Sequence, residues 1–123
     1  MARYPGLTLR ILADKYPAMG PGKADLVAAI DASGSISGAA RVMGMSYRRA
    51  WQLVDAINGS FSQPVVVTAT GGKRGGGASV TPFGRELIRR YRAMESKASA
   101  AIVKDLQIFS RHLKRQTAPR GDR

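Results

Sequence analysis

The feature that most constrains the fold is residues 35–58, where two short helical patterns lie on either side of a glycine. Ser35 and Ser46 each suit the position before a helix, because a serine hydroxyl accepts a hydrogen bond from a free N–H of the first turn. Gly44 suits a left-handed turn in which a side chain would clash. The residues predicted to be buried repeat at helical spacing: Ile36, Ala39, Ala40 and Met43, then Ala50, Leu53, Val54 and Ile57. This pattern predicts a helix-turn-helix.

Polar side chains cluster at the start of the second of these helices. In a helix-turn-helix, the side chains at that end reach base edges in the major groove of DNA. The residues of these two helices predicted to contact DNA are Ser35, Ser37, Ser46, Tyr47, Arg48, Arg49 and Gln52. The serines serve as caps or phosphate contacts. One of the two arginines suits a bidentate contact with guanine and the other a phosphate, in either assignment. Tyr47 either contacts a thymine methyl group or phosphate, or packs under a neighbouring hairpin.

A β-hairpin is predicted directly after the helix pair. Residues 65–70 are rich in β-branched side chains and residues 78–81 form the return strand, joined by a glycine-rich loop. The loop connects two strands and lacks a Gly-Lys-Ser or Gly-Lys-Thr ending, so it does not fit a nucleotide-binding loop. Its Lys73 and Arg74 are predicted to meet phosphate or the minor groove, with a merely flexible hairpin end as the alternative. Three helices, a hairpin and a further helix are the order of a winged helix-turn-helix.

The parts of the chain outside this unit are assigned more simply. Residues 7–12 predict a short strand, residues 17–22 a turn-rich connection and residues 23–32 a helix. The fold class is therefore mainly α with a small β-hairpin wing, preceded by an N-terminal strand and followed by a long helix. The predicted organisation is 1–22 for the strand and connection, 23–81 for the winged unit, 82–114 for the long helix and 115–123 for a disordered basic tail.

The last helix carries more apolar surface than a small winged domain can cover. Its apolar and small residues step by three or four positions over roughly 30 residues, which is about 45 Å of helix. A second copy of the chain is the simplest partner that would bury the apolar residues of the distal part. The residues predicted to mediate homodimerisation are Tyr91, Met94, Ala98, Ile102, Leu106 and Phe109. The alternative is that the distal part folds back onto the chain's own N-terminal strand.

The charge of the chain narrows the class of partner. Twenty Lys and Arg against eight Asp and Glu give a net charge of +12 and a pI near 11.1. This balance favours a polyanion, namely double-stranded DNA, because each phosphate that is neutralised releases a counterion. An anionic membrane surface would attract the same charge. No apolar run approaches the roughly 20 residues that span a bilayer, so we expect no membrane insertion and a cytoplasmic location.

Catalytic and metal-binding patterns are weak in this sequence. The absence of cysteine excludes disulfides and thiolate chemistry. The single histidine, His112, lies among basic residues, and the eight acidic residues are scattered without metal-ligand or triad spacing. We therefore expect no enzyme activity, no metal and no cofactor.

Several motifs together resemble a known family. They are Ser33-Gly-Ser-Ile-Ser-Gly-Ala-Ala40, Gly44-Met-Ser-Tyr-Arg-Arg-Ala-Trp51, Ala69-Thr-Gly-Gly-Lys-Arg-Gly-Gly-Gly-Ala78 and Val80-Thr81. Over about residues 7–94 the chain resembles the N-terminal DNA-binding domain of ModE, the molybdate-responsive regulator family, and more loosely the helix-turn-helix of LysR-type regulators. The resemblance implies a winged-helix regulator that dimerises through its N-terminal strand region and long last helix, and that binds a palindromic operator.

The chain departs from that family in one respect. Full-length members carry C-terminal molybdate-binding modules of small β-barrel type, and no position here matches that ligand site. The resemblance therefore implies a stand-alone DNA-binding member for which molybdate binding is not expected.

Together these observations predict a sequence-specific DNA-binding transcriptional regulator that binds a palindromic operator as a homodimer. The first alternative is an architectural, nucleoid-type protein that coats DNA without sequence preference, which the charge and basic tail also permit. The second is an adaptor that uses the winged fold for protein contacts.

Overall fold

The computed structural model describes residues 6–69 and 77–114. The elements in chain order are β1 Ile11–Ala13, β2 Tyr16–Met19, α1 Pro21–Ser33, α2 Ile36–Met43, α3 Tyr47–Ser60, β3 Val66–Ala69, β4 Gly77–Val80, α4 Pro82–Ala101 and α5 Val103–Ser110. The strands form two separate antiparallel pairs, β1 with β2 and β3 with β4, which we call the first and second hairpins. The prediction of a mainly helical chain with a small hairpin is confirmed.

The main core lies between α1, α2, α3 and the second hairpin. Its buried members include Leu26 and Ile30 from α1, Ala39 from α2 and Ile57 from α3, with Val80 of β4 covering them. Helices α1 and α2 contact closely, and the side of α2 that enters this core carries the small residues Ala39 and Ala40. This core holds α3 rigidly, with one side buried and the other exposed.

The ends of the helices follow the local sequence. The side-chain oxygens of Ser35, Ser46 and Thr81 accept hydrogen bonds from the backbone N–H groups of Gly38, Arg49 and Gly84, at 2.9, 3.0 and 2.9 Å. Gly44 ends α2 with a φ of 69°, in the left-handed region that a residue with a side chain rarely adopts. The serine caps and the glycine turn predicted between α2 and α3 are therefore present.

The second hairpin is fastened to the helices by polar contacts. The Asn58 side-chain oxygen accepts hydrogen bonds from the N–H groups of Val65 and Val66, at 2.8 and 3.1 Å, and its amide donates to the Val66 carbonyl at 2.9 Å. On the other strand, the N–H of Ala78 donates to the carbonyl of Gly34 at 2.9 Å. The hairpin is thus fixed against the C-terminal half of α3 and the start of α2.

The N-terminal region differs from the prediction. A strand over residues 7–12 and a turn over residues 17–22 were expected, whereas the chain forms a hairpin whose second strand, β2, includes Pro17. Asp14 makes the connection possible because it adopts a φ of 55°, which aspartate tolerates better than most residues. Pro17 is accommodated because each strand of a two-stranded sheet is an edge strand, where a missing N–H costs little.

The C-terminal region also differs from the prediction, because the helix expected over residues 82–114 is interrupted. Ile102, with φ −110° and ψ 11°, separates α4 from α5. The spacing of apolar residues indicates which face of a helix is apolar. Because this spacing continues unchanged across the break, it did not predict the interruption. Beyond the break, the Leu106 side chain lies against Gly6, so this part of the predicted stripe does meet the N-terminal segment of its own chain.

None of the helices in the described part of the chain is both long enough and apolar enough to cross a membrane.

Candidate nucleic-acid interface

Helix α3 presents four different sides, since successive residues of an α-helix are rotated by about 100°. Ala50, Val54 and Ile57 mark the side that is buried in the core. Arg48 and Gln52 lie on the opposite side, and both are exposed. They are four residues apart, so their side chains are neighbours on that surface. Two polar side chains that carry hydrogen-bond donors thus project together from the rigid helix near its N-terminal end.

Tyr47 lies on the flank of α3 that faces the second hairpin. Its ring packs edge-to-face against Trp51, with 6.2 Å between ring centroids and 83° between ring planes. A cavity of about 320 Å³ opens beside them, bounded by the start of α2 and by both strands of the hairpin. Ser35 and Ser37 line this cavity from α2, and Thr68 lines it from β3. Two of the three predicted serine contacts, Ser35 and Ser37, are therefore grouped with Tyr47.

Arg49 lies on the other flank of α3, away from the second hairpin. Its side chain lines a different cavity together with Arg10 and Lys23. The two adjacent arginines, which the sequence left interchangeable, therefore occupy different environments. Arg48 projects straight outward, whereas Arg49 faces the first hairpin and the start of α1.

The ion pairs of the structure separate the arginines into two groups. On α4, Arg85 pairs with Asp31 at 3.0 Å, Arg92 pairs with Asp25 at 2.8 Å, and Glu86 binds both neighbouring arginines of its helix. The hydrogen bond and charge of Asp31 raise the pKa of Arg85. Within residues 6–69 and 77–114, neither Arg48 nor Arg49 forms an ion pair. The two α3 arginines therefore have no acidic partner among the described residues, whereas the α4 arginines pair with acids of their own chain.

The remaining predicted residues fall in three places. Lys73 and Arg74 lie outside the described residues. Met94 and Phe109 are 41% and 64% exposed, while Ala98, Ile102 and Leu106 are half-buried. Tyr91, in contrast, is 1% exposed within its own chain, where its hydroxyl donates a hydrogen bond to the Leu9 carbonyl at 2.6 Å. Tyr91 joins α4 to the N-terminal segment and does not lie on the exposed apolar stripe.

Two groups at the site were absent from the sequence interpretation. Arg10 and Lys23 approach Arg49 only because the first hairpin folds against the start of α1, and nothing in their spacing along the chain indicates this. Asn58, which fastens the hairpin to α3, has a weak local signal: an asparagine near a helix end, followed by a strand, often binds nearby backbone groups.

No family model matches the chain. Individual known proteins, however, are similar to it in sequence. The chain is 47% identical over 95 residues to the molybdenum-pterin-binding protein MopB of Rhodobacter capsulatus, a match that covers 77% of this chain and 34% of the relative. It is 40% identical over 77 residues to the molybdenum transport protein ModE of Azotobacter vinelandii, covering 63% of this chain and 28% of the relative.

A third relative carries a name that states an activity. The chain is 42% identical over 71 residues to the DNA-binding transcriptional dual regulator ModE of Escherichia coli strain K12, covering 58% of this chain and 27% of that protein. The chain therefore spans about a third or less of the length of these curated relatives. Over the matched residues, the chain is a homologue of the ModE and Mop proteins.

Proposed function

We propose that the chain is a member of the ModE family and acts as a sequence-specific DNA-binding transcriptional regulator, folded as a winged helix-turn-helix. The observation that carries this proposal is the pair Arg48 and Gln52 on the exposed side of α3, directly opposite its buried side. The net charge of +12 and the name of the Escherichia coli relative support the same conclusion.

In this proposal α3 enters the major groove and Arg48 reads a base. A guanidinium presents two parallel N–H groups that match the two acceptors of guanine, and the amide of Gln52 matches the edge of adenine. The Ser46 cap holds the first turn of α3, so Arg48 is presented from a rigid backbone. The groups around the second hairpin, Ser35, Ser37 and Tyr47, then face the backbone of the duplex on one flank, with Lys73 and Arg74 of the hairpin loop as further phosphate or minor-groove contacts.

The second part of the proposal is that the regulator is a homodimer. Apolar side chains of the C-terminal helices are exposed in the single chain, including Met94, Val103, Ile108 and Phe109. A two-fold axis through these helices would place two copies of α3 on one face of DNA, about 34 Å apart, and so select a palindromic operator. Sedimentation equilibrium tests this part: Phe109→Asp is expected to give monomers, and Ala56→Asp, at an exposed position of α3, is expected to leave the dimer intact.

The third part concerns molybdenum, which the names of the relatives mention. We assign the residues described here to DNA binding, and we assign molybdenum recognition to the portions of those relatives that this chain does not match. Equilibrium dialysis against molybdate tests this assignment, and we expect no saturable binding.

The experiment that tests the whole proposal is selection of bound duplexes from a random library at about 150 mM salt. Enrichment of one palindromic motif is the expected result. Arg48→Ala is then expected to weaken binding to the selected duplex by about tenfold or more. Its effect on the affinity for unselected duplexes is expected to be far smaller. The matched control is Lys97→Ala, at an exposed position of α4. Recovery of sequences without enrichment would instead establish the nucleoid-type alternative, and no DNA binding would favour an adaptor.

A further inference from the structure

A second cavity, of about 340 Å³, opens on the flank of α3 that faces away from the second hairpin. Three cationic side chains line it: Arg10 from the segment before β1, Lys23 from the first turn of α1, and Arg49 from the first turn of α3. They are brought together from three distant parts of the sequence by the fold. No acidic side chain is among the described residues that line this cavity.

The three cations lack the acidic neighbours that the α4 arginines have. None of them forms an ion pair with a residue in the described ranges. The Lys23 ammonium group donates a hydrogen bond to the Pro17 carbonyl at 2.7 Å, which holds it in place without neutralising it. The cavity therefore concentrates positive charge that the described residues leave uncompensated.

The pKa of Lys23 reflects the same accumulation of positive charge. Burial lowers the pKa of Lys23 from its ordinary 10.5, and the positive charges of Arg10 and Arg49 lower it further. An anion bound between them would relieve this repulsion. Helix α1 begins at the same cavity, and its N-cap residue, Gly20, offers no side-chain acceptor to the first turn. The helix start thus adds to a positive potential that the three side chains already establish.

We propose that this cavity receives a phosphate of the DNA backbone that borders the major groove entered by α3. The inference rests on the proposed function and divides the two arginines: Arg48 reads a base, and Arg49 holds a phosphate with Arg10 and Lys23. The cavity lies at the same end of α3 as Arg48 and Gln52, so a duplex seated on that end passes one strand across the opening. The opposite strand passes the second hairpin, and α3 is held between two phosphate contacts.

The test measures binding of the full chain to the selected duplex and to an unrelated duplex over a range of salt concentrations. Lys23→Gln is expected to weaken both by the same factor, about three- to tenfold at 150 mM salt, because a phosphate contact is independent of sequence. The slope of log affinity against log salt is expected to fall by about one. Arg10→Gln is the second variant, since it leaves the Lys23–Pro17 hydrogen bond intact, and Lys97→Gln is the matched control.

A free oxyanion such as inorganic phosphate has the same chemistry as a phosphate of the DNA backbone. A further experiment distinguishes these two occupants of the cavity. Replacing single backbone phosphates of the selected duplex with neutral methylphosphonates is expected to reveal one position whose loss weakens the wild type but not Lys23→Gln. Saturable binding of inorganic phosphate, together with unchanged DNA binding by both variants, would overturn the inference in favour of a free-anion site. Loss confined to the selected duplex would overturn it in favour of base reading. Equal affinity and equal salt slope for the wild type and all variants would overturn the phosphate site and leave the proposed function intact. A wild-type chain that binds no duplex would overturn both the phosphate site and the proposed function.

Discussion

The helices around the main core and helix α5 have similar apolar sequence patterns but very different burial. Leu26, Ile30 and Ile57 are fully buried by elements of their own chain. In α5, no residue is buried, and Ile108 and Phe109 are 54% and 64% exposed. A helical repeat of apolar residues therefore identifies a face that needs cover, but it does not say what covers it. In the first region the cover is local, whereas the described residues leave Ile108 and Phe109 of α5 exposed.

The two regions are expected to serve different functions. The region with local cover carries Arg48 and the second hairpin, so its geometry is set within one chain. The exposed apolar region carries no proposed DNA contact, and in our proposal it sets only the distance between two such units. Stability of the single chain and assembly of two chains are thus expected to depend on different residues.

The largest expected difference between the regions is the effect of truncating one isoleucine in each. Ile57→Ala removes fully buried methyl groups and leaves a cavity, so we expect the free energy of unfolding to fall by about 2–5 kcal/mol. Ile108→Ala changes an exposed side chain and is expected to alter it by less than about 0.5 kcal/mol. Urea unfolding of dilute protein measures both.

Protein concentration sharpens this first comparison. If α5 is a contact between two chains, the effect of Ile108→Ala on the unfolding midpoint grows with protein concentration, because dissociation then accompanies unfolding. The effect of Ile57→Ala is expected to be large at every concentration. Similar effects of the two substitutions in dilute protein would show that α5 is covered within its own chain.

Two helical glycines provide the second comparison. A Cβ added at Gly84 would lie 2.6 Å from the carbonyl oxygen of Val65, a backbone atom that cannot move aside cheaply. Gly84→Ala is therefore expected to destabilise the protein by about 1–3 kcal/mol, despite the better helix propensity of alanine. At Gly59, in α3, a Cβ would meet nothing within 4 Å, and Gly59→Ala is expected to be neutral or to stabilise by up to about 1 kcal/mol.

Thermal unfolding followed by far-ultraviolet circular dichroism measures the glycine pair. A stabilising Gly84→Ala would mean that α4 is free to move away from β3. The core would then be less rigidly packed at this junction than the contact implies.

The sequence predicted those features that depend on neighbours along the chain. The serine caps at Ser35 and Ser46, the left-handed turn at Gly44 and the two strands of the second hairpin each have local causes, and the structure contains all of them. The backbone of Ile102 and the hairpin that includes Pro17 were missed, because neither residue type specifies the conformation found.

The division of the two α3 arginines shows the same limit at the candidate site. Arg48 and Arg49 are identical in type and adjacent in sequence, so no local pattern distinguishes them. They differ because the first hairpin, which sequence patterns did not predict, brings Arg10 and Lys23 to one flank of α3 only. Contacts between distant segments decide the role of each residue, and periodicity does not encode them.

Tyr91 marks the boundary between the two regions and provides the third prediction. Its buried hydroxyl donates to the Leu9 carbonyl, so Tyr91→Phe loses one hydrogen bond and is expected to cost about 1 kcal/mol of unfolding free energy. Tyr16→Phe, at an exposed position of β2, is the matched control and is expected to change little. Sedimentation of Tyr91→Phe is expected to match that of the wild type, because the residue is inside the chain. A change of oligomeric state without a change of stability would show that Tyr91 belongs to the dimer contact, as the sequence predicted.

The smallest expected effect concerns acid and the exposed ion pairs of α4. The hydrogen bond from Arg89 lowers the pKa of Glu86 from 4.5 to about 2, with the charges of Arg89 and Arg90 acting in the same direction against desolvation. Since the folded pKa lies below the unfolded one, this contribution to stability is present above about pH 4.5 and is lost as the pH falls towards 2. It is small because Glu86 is 46% exposed and solvent screens its pairs.

Comparing the melting temperatures of the wild type and Glu86→Gln from pH 6 to pH 2 measures this contribution. The wild type is expected to melt slightly higher at pH 6, and the difference is expected to shrink as the pH falls towards 2 and the carboxylate takes up a proton. High salt is expected to reduce the difference at pH 6 as well, because exposed charges are screened. A difference as large at pH 2 as at pH 6 would mean that Glu86 stabilises α4 by packing instead of charge. That outcome would mean that the exposed ion pairs of α4 contribute nothing measurable to its stability.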